Sequence, residues 1–555
     1  MLRLDKTEGA LLLSFLTPFS FSLLYIFRAF DNNTLTSWQW VFSGGGFGTI
    51  LLYLVATTLA APLISSLPLE NHPLPVLAAL AALSIVPLWS GPELLLDSGR
   101  YFLQAKALSH HGAGYFFQEW GQAITAWTDL PLVPFLYGLI LKYGQESRTA
   151  VQLFNTLIFS LTVILTSLIG TRLWNRELGF HAGLLLTGIP YLLTQVPQLL
   201  VDIHAMFYLV LAVYCFLWAI TSTGYLSLFV SALTLVLASL VKFSTWPMLA
   251  ILPLCSLVVD SGPWKIRLRR ILIILLPAAL LLFVIAASKS AVLARQLELL
   301  FAYQRPALLL WDESLFSTFF FQGHPFIPVL AVLALYRAWR RRDRRFLFIL
   351  SFCLLLFILR IERSRYTIPL LPYITLAAAY GLAAFREIWL RRLAGCLIVS
   401  WSLVILYGCY LPFFATTSMM NLKRAGASLD KMGGSSVEVV VLLQEKSAGS
   451  TFAAIPLLDL FTEKKIISRQ KWPGREPAQL SPHSPLLFTW QLDRPDFYQL
   501  PGEQVPLPPL VIIGPGPADN DYYRYFRPAA VPPDPVIFSG HSGRFLFRTF
   551  VAIYP

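Results

Sequence analysis

The chain has 555 residues, 56% of them hydrophobic and only 13% charged, with a mean hydropathy of +0.63. So few charges cannot cover a soluble protein of this length, which leaves a polytopic membrane protein. The formal net charge of +13 does not point to nucleic acid: most of the excess lies in short loops between apolar runs, where the positive-inside rule accounts for it.

In chain order, the apolar runs long enough to cross a bilayer number about thirteen. They lie near 10–28, 45–64, 74–91, 150–171, 179–197, 203–221, 225–241, 245–260, 271–288, 325–339, 346–360, 367–385 and 393–411. The first follows a short basic start without a small-residue cleavage motif, so an uncleaved first helix is expected. Around Lys242 a single re-entrant hairpin would leave the same pattern as two spans. The cysteines Cys215, Cys255, Cys353, Cys396 and Cys409 all fall inside apolar runs without metal spacing and read as small buried hydrophobes.

Between the third and fourth spans lies a long outer loop, residues 92–149, carrying Asp97, Arg100, Lys106, His110, His111, Glu119 and Asp129 among aromatic residues. Its stretches Gly99–Ser109 and Leu132–Tyr143 are apolar but too short or interrupted to cross, and they read as helices lying in the interface. A second outer segment, near 289–324, contains an amphipathic stretch from Leu293 to Tyr303 followed by Trp311-Asp312-Glu313. After Leu411 the prolines cluster and the apolar runs shorten. Val437–Leu443, Leu486–Trp490, Leu510–Gly514 and Arg544–Tyr554 read as strands and Thr451–Thr462 as a helix, giving a small α/β domain. The expected organisation is a polytopic α-helical membrane domain over 1–411, its first two spans in 1–73, followed by an extracytoplasmic α/β domain over 412–555. No internal repeat or low-complexity tract is present.

The residue types suggest chemistry on the outer face. Asp97 can take a proton from an acceptor, or cap the helix that follows. Asp202, at the edge of a span, can orient an acceptor, share a metal with Asp97 or pair with Arg100; ionisable groups at that depth are costly and face a partner or cavity. His204 lies two residues on and points elsewhere on a helix. His110 and His111 diverge and read as a polar patch rather than a metal site. Arg360, Arg363 and Arg365 arrive together on the outer side ahead of Tyr366, against the positive-inside bias, and guanidinium groups match phosphate geometry. Glu362 could neutralise one of them. Lys242 is a further cation at an outer span end.

The order of features resembles the GT-C glycosyltransferases, in particular the protein O-mannosyltransferases and the aminoarabinose transferases of lipid A. The features are Asp97-x-x-Arg100-Tyr101, a proline-containing second loop helix, Gly170-Thr-Arg172-Leu-Trp-Asn-Arg176, Asp202 opening a span, and Arg365-Tyr366-Thr-Ile-Pro369-Leu-Leu-Pro372. The resemblance spans about residues 74–411. It departs from the pattern where Ser98 replaces a glutamate and Thr128-Asp129-Leu130-Pro131 replaces a Lys-Pro-Pro-like segment.

It implies an inverting transferase in a bacterial inner (plasma) membrane, moving a sugar from a polyprenyl-phosphate carrier to an extracytoplasmic lipid, glycan or protein. Asp97, Asp202 and Asp129 are then the catalytic candidates. Arg365, Arg363, Arg360, Arg100 and Lys242 would meet the donor phosphate, with Tyr101, Tyr366 and His204 lining the substrate. No cofactor is expected, although a divalent metal on Asp97 and Asp202 is compatible with the residues. The competing readings are a transporter or flippase, which would show inverted repeats and mid-membrane charges, and a non-catalytic assembly subunit with the same fold.

The basic residues at Arg3 and Lys6, Arg172 and Arg176, Lys265 to Arg270, Arg337 to Arg345 and Arg386 to Arg392 all fall on one side of the expected spans. A tag after Pro555 is therefore expected outside and the Arg340–Arg345 loop in the cytoplasm, as is the N-terminus. Cysteine labelling of that loop from outside intact cells would overturn the topology.

Overall fold

With no water inside a bilayer, a crossing segment must satisfy its own backbone hydrogen bonds, so the apolar runs are under pressure to become helices. The structure is a computed structural model describing residues 5–42, 46–95, 97–144, 146–222, 224–253, 263–304, 313–441, 454–468, 510–514, 536–539 and 550–554. Among these, seven helices are long and apolar enough to cross a membrane: Lys6–Ile26, Phe47–Ser65, Pro73–Ser90, Arg148–Leu173, Asp202–Thr221, Trp264–Ser288 and Ile388–Phe414. Tyr225–Ser239, Phe326–Arg341, Phe346–Ile358 and Leu371–Leu382 are shorter helices on other expected spans.

Two expected spans take another form. The run at 179–197 is two helices, Arg176–Leu186 and Pro190–Gln195, because Pro190 has no N–H to continue the first and instead starts the second. Of the run at 245–260, short turns at Phe243–Thr245 and Trp246–Leu249 are seen, and the rest, with Cys255, lies outside the described residues.

Packing divides the chain into two compact units. One comprises Met1–Trp89, Ala126–Val133 and Gln152–Leu411; the other Ser90–Thr125, Pro134–Val151 and Pro412–Pro555. By packing, most of the first outer loop thus groups with the C-terminal region, where the sequence alone assigned it to the spans.

In the first unit Asp202–Thr221 is the most buried of the seven long helices, with only the stripe Tyr208, Leu211, Tyr214 and Trp218 and the terminal Thr221 partly open. Small residues let the helices around it approach backbone to backbone. A Cβ added at Gly170 would lie 2.8 Å from the Gly179 Cα, and one at Gly381 would run into the carbonyl oxygen of Leu330. The loop after Lys6–Ile26 is held by polar groups as well as by apolar contact. Asp31 Oδ2 accepts from Trp38 N at 2.7 Å and Gln322 Nε2 at 2.8 Å; Oδ1 accepts from Asn33 N at 3.1 Å and from the Ser317 hydroxyl. Burial pushes the Asp31 carboxyl up to about 6, against these four donors, which favour its charged form.

The second unit contains the helix Asp97–Glu119, broken at Gly112, whose φ of 86° only glycine adopts cheaply. The helix Leu132–Tyr143, which begins in the first unit, coincides with the expected interfacial stretch, and a Cβ on its Gly138 would meet Leu108 Cβ at 2.7 Å. Lys106 donates to Asp459 Oδ2 at 2.7 Å and lies 3.5 Å from Glu146, so a buried cation ties the first loop to the helix Ala454–Asp459. The sheet has the order β2-β1-β3-β5-β4, formed by β1 (Ser436–Val441), β2 (Lys465–Ser468), β3 (Leu510–Gly514), β4 (Val536–Ser539) and β5 (Phe550–Tyr554). β1 pairs in parallel with β2 and β3, while β5 runs antiparallel to β3 and β4. β2, β4 and the helix Ser418–Leu429 are not foreseen from the sequence, and Leu486–Trp490 lies outside the described residues.

Gly381→Ala forces a methyl against a backbone carbonyl that cannot swing away, whereas a Cβ at Gly114 meets nothing within 4 Å. Gly381→Ala is expected to cost about 1–3 kcal/mol, typical of overpacking. Gly114→Ala should be neutral or slightly stabilising. Thermal unfolding in detergent compares the two; equal midpoints would show that the Gly381 contact is not tight.

Candidate functional site

Asp202 is the first residue of its helix, where a carboxylate suits the positive end of the helix dipole. The chain leading into it is fastened by two amides from Arg148–Leu173. Asn155 Nδ2 donates to the Gln198 carbonyl at 2.8 Å, and Gln152 Nε2 reaches the carbonyls of Trp89 and Pro197 at 3.3 and 3.4 Å. The Asn155 carbonyl oxygen lies 3.0 Å from His204 Nε2, and His204 is fully buried. His204 thus locks the start of the helix.

Asp202 has a side chain with no exposure, and its two oxygens meet two cations. Lys242 Nζ donates to Oδ1 at 2.6 Å and Arg365 Nε to Oδ2 at 2.5 Å. The sequence left Arg100 as a partner for Asp202; the ion pairs it makes here are with Lys242 and Arg365. Burying a lone carboxylate is very costly, and this double pairing is what makes its position tolerable. Lys242 also sits 4.5 Å from the centre of the Tyr366 ring and Arg363 5.3 Å from it, so two cations meet this aromatic ring, one of them the lysine bound to Asp202.

Arg365 lies in the one-turn helix Ser364–Thr367. Glu313 holds that turn: its carboxylate accepts from Ser364 N at 2.6 Å, Thr34 N at 3.1 Å and Thr34 Oγ1 at 2.5 Å. Asn33 Nδ2 adds a bond to Ser364 Oγ at 3.0 Å. The loop after the first helix therefore sets the arginine-bearing turn. Sequence reading assigned no role to Glu313, Asn33, Gln152 or Asn155. The available signals were amides three residues apart in an otherwise apolar span, and an acid just ahead of one.

The other candidates fall elsewhere. Arg360 is exposed, in a left-handed conformation with φ 48°, and is not among the cations around Tyr366. Glu362 is exposed, and among the described residues it neutralises none of the arginines. Asp129 is buried and its carbonyl accepts from Gln296 Nε2 at 2.7 Å. In the second unit, Asp97 opens its helix and pairs with Arg100 at 3.1 Å, with its side chain 30% exposed. Arg100 Nη2 in turn reaches the hydroxyl of the buried Tyr101 at 3.3 Å. His110 lies 2.8 Å from Glu146, within a polar patch that includes Lys106. Among the described residues no three His, Cys, Asp or Glu side chains gather as a metal site.

Among the described residues, seven helices apolar and long enough to cross a membrane, one of them headed by charged groups, mark an integral membrane protein with a GT-C-like fold. Its structural likeness is to the lipid A aminoarabinose transferase ArnT from Cupriavidus metallidurans. The undecaprenyl phosphate-bound crystal structure aligns at a TM-score of 0.53 and 11% identity, covering 86% of this chain and 97% of that one. The apo structure gives 0.52 at the same identity and coverage. The archaeal oligosaccharyltransferase AglB from Archaeoglobus fulgidus, in complex with an inhibitory peptide and a dolichol-phosphate, aligns at 0.45 and 12% identity over 72% of this chain and 65% of that one. No protein-family profile and no curated protein sequence matches the chain.

Asp202→Ala removes the acid that faces the buried Arg365, a loss of about 3–5 kcal/mol for a broken buried pair. Lys242→Ala still leaves Asp202 with Arg365 and should cost less. Thermal midpoints in detergent are expected in that order, and a reversed order would mean that Arg365 is not the principal partner.

Proposed function

We propose that this chain is an integral membrane glycosyltransferase that moves a sugar from a polyprenyl-phosphate carrier to an extracytoplasmic acceptor with inversion. The observation that carries the reading is the Lys242–Asp202–Arg365 bridge beside Tyr366 and Arg363. Lysine and arginine side chains gathered in this way suit an anionic phosphate, and the ArnT structure of like fold holds undecaprenyl phosphate.

In the proposed reaction the acceptor oxygen attacks the anomeric carbon and the bond from that carbon to the phosphate oxygen breaks. The acceptor proton passes to a carboxylate, and the carrier leaves as polyprenyl phosphate. Arg365 and Lys242 meet the charge that develops on the departing phosphate. Both Asp202 oxygens are already engaged by cations, so its role is to orient them. Asp97, partly exposed, is the proposed general base, and Asp129 is the alternative carboxylate if Asp97 fails. The base assignment rests on the sequence resemblance and the carrier assignment on the charge cluster, so the two are tested separately.

Asp97→Asn should preserve the helix start, since Asn is as acceptable as Asp there, while transfer falls by about 10²–10⁴. Normal transfer by this variant would reduce Asp97 to a structural role. Arg365→Ala should weaken binding of undecaprenyl phosphate to the purified protein by about 1.5–3 kcal/mol, the range for a hydrogen bond to a charged group. Unchanged affinity would remove Arg365 from the carrier site.

A further inference from the structure

A second charged cluster lies in the first unit, built by the turn joining Phe326–Arg341 to Phe346–Ile358 and by Trp174 and Tyr380. Sequence reading treats its arginines as a topology signal alone. A topology signal needs only charge, whereas these residues line a concave cavity of about 530 Å³. Five of them, Arg337, Arg341, Arg342, Arg344 and Arg345, face a single acid, Asp343, which leaves a net charge of +4.

The acid is consumed by the architecture. Arg345 grips it with two bonds, Nε to Oδ1 at 2.9 Å and Nη2 to Oδ2 at 3.0 Å. Trp174 Nε1 and the Tyr380 hydroxyl both donate to Oδ2, at 3.2 and 3.1 Å. Burial pushes the Asp343 carboxyl up, but Arg345 and Tyr380 more than offset it and hold it below the usual carboxylate range. Arg337 lies 4.6 Å over the Tyr380 ring and donates to the Tyr380 carbonyl at 2.5 Å. The guanidinium groups of Arg341, Arg342 and Arg344 then have no acid or hydrogen-bond acceptor among the described residues. Arg342 also ends its helix with φ 50°, a left-handed position where glycine or asparagine costs less, so arginine is kept there against local preference.

We propose that this cavity is a binding site for a phosphate-bearing anion, supplied by the headgroup of an anionic phospholipid or by phosphate free in solution. Three guanidinium forks project around a rim set by the Arg345–Asp343 clasp, and guanidinium matches phosphate oxygens two at a time. Trp174 and Tyr380 are side chains that favour the depth of lipid headgroups. Basic pockets between spanning helices are a recognised form of headgroup site.

The test uses the full-length protein and the double variant Arg341→Gln/Arg344→Gln, which leaves the Arg345–Asp343 clasp intact. Thermal midpoints are followed while short-chain phosphatidylglycerol, short-chain phosphatidylcholine or inorganic phosphate is titrated in, and native mass spectrometry counts retained lipid. The wild type is expected to be stabilised by phosphatidylglycerol with an affinity about tenfold above that of the variant, and to retain it over phosphatidylcholine. Stabilisation by phosphatidylglycerol alone assigns the headgroup, and an equal response to inorganic phosphate assigns the soluble anion. Equal retention by wild type and variant overturns the proposal. If the variant fails to fold, the wild type decides: no preference for phosphatidylglycerol over phosphatidylcholine, with no response to phosphate, overturns it as well.

Discussion

A carboxylate with no exposure to solvent, clasped at 2.5 and 2.6 Å by an arginine and a lysine, is the point on which the spanning unit depends. Removing an ion from water costs several kcal/mol even after relaxation, so Asp202 can stand at the head of a buried helix only while both cations stay in place. Each cation comes from a different element: Lys242 from the extended residue after Tyr225–Ser239, and Arg365 from a one-turn helix far downstream. One carboxylate therefore joins three segments that share no local sequence. The arrangement also brings Lys242 and Arg363 against the Tyr366 ring.

The support for this clasp is polar where the surroundings are apolar. Glu313 is itself buried, and its charge is met by N–H and O–H donors from Ser364 and Thr34, with no cation paired to it among the described residues. Bonds of that kind to a carboxylate are short and strong, and they fix direction as well as distance. Asp31 acts in the same way farther from the clasp, gathering the loop between the first two helices onto Ser317 and Gln322. The N-terminal spans, additional to the region of the chain that carries the sequence resemblance, thereby contribute to the arginine-bearing turn through the loop that joins them.

Small residues do the complementary work. In lipid, helices gain little from hiding apolar surface from one another, and close packing must supply the attraction. Gly170 against Gly179 and Gly381 against Leu330 bring backbones within reach. Polar side chains such as Asn155 and His204 then bond across helices instead of facing hydrocarbon. The arginine-lined cavity at Asp343 uses the same logic at the basic end of these helices, where an acid is spent on holding the shape and the remaining guanidinium groups are left for a ligand.

Composition and apolar run length alone determined the class of this protein, the positions of most spanning helices and the short helix Leu132–Tyr143, because hydropathy and helix length are local properties read within a window of about twenty residues. They also drew attention to Asp97, Asp202, Lys242 and the cluster of Arg360, Arg363 and Arg365, since a charge beside an apolar span is conspicuous wherever it pairs. Partners were another matter. That Asp202 meets Lys242 and Arg365, that Arg360 stands apart, and that Glu313 and Asn33 hold the turn are contacts across 40 to 331 residues of chain. The short strands Lys465–Ser468 and Val536–Ser539 were equally hidden, because a four-residue strand is specified by the neighbour it pairs with. Only the tertiary structure decides these, because the energy of a buried charge depends on what the fold brings opposite it.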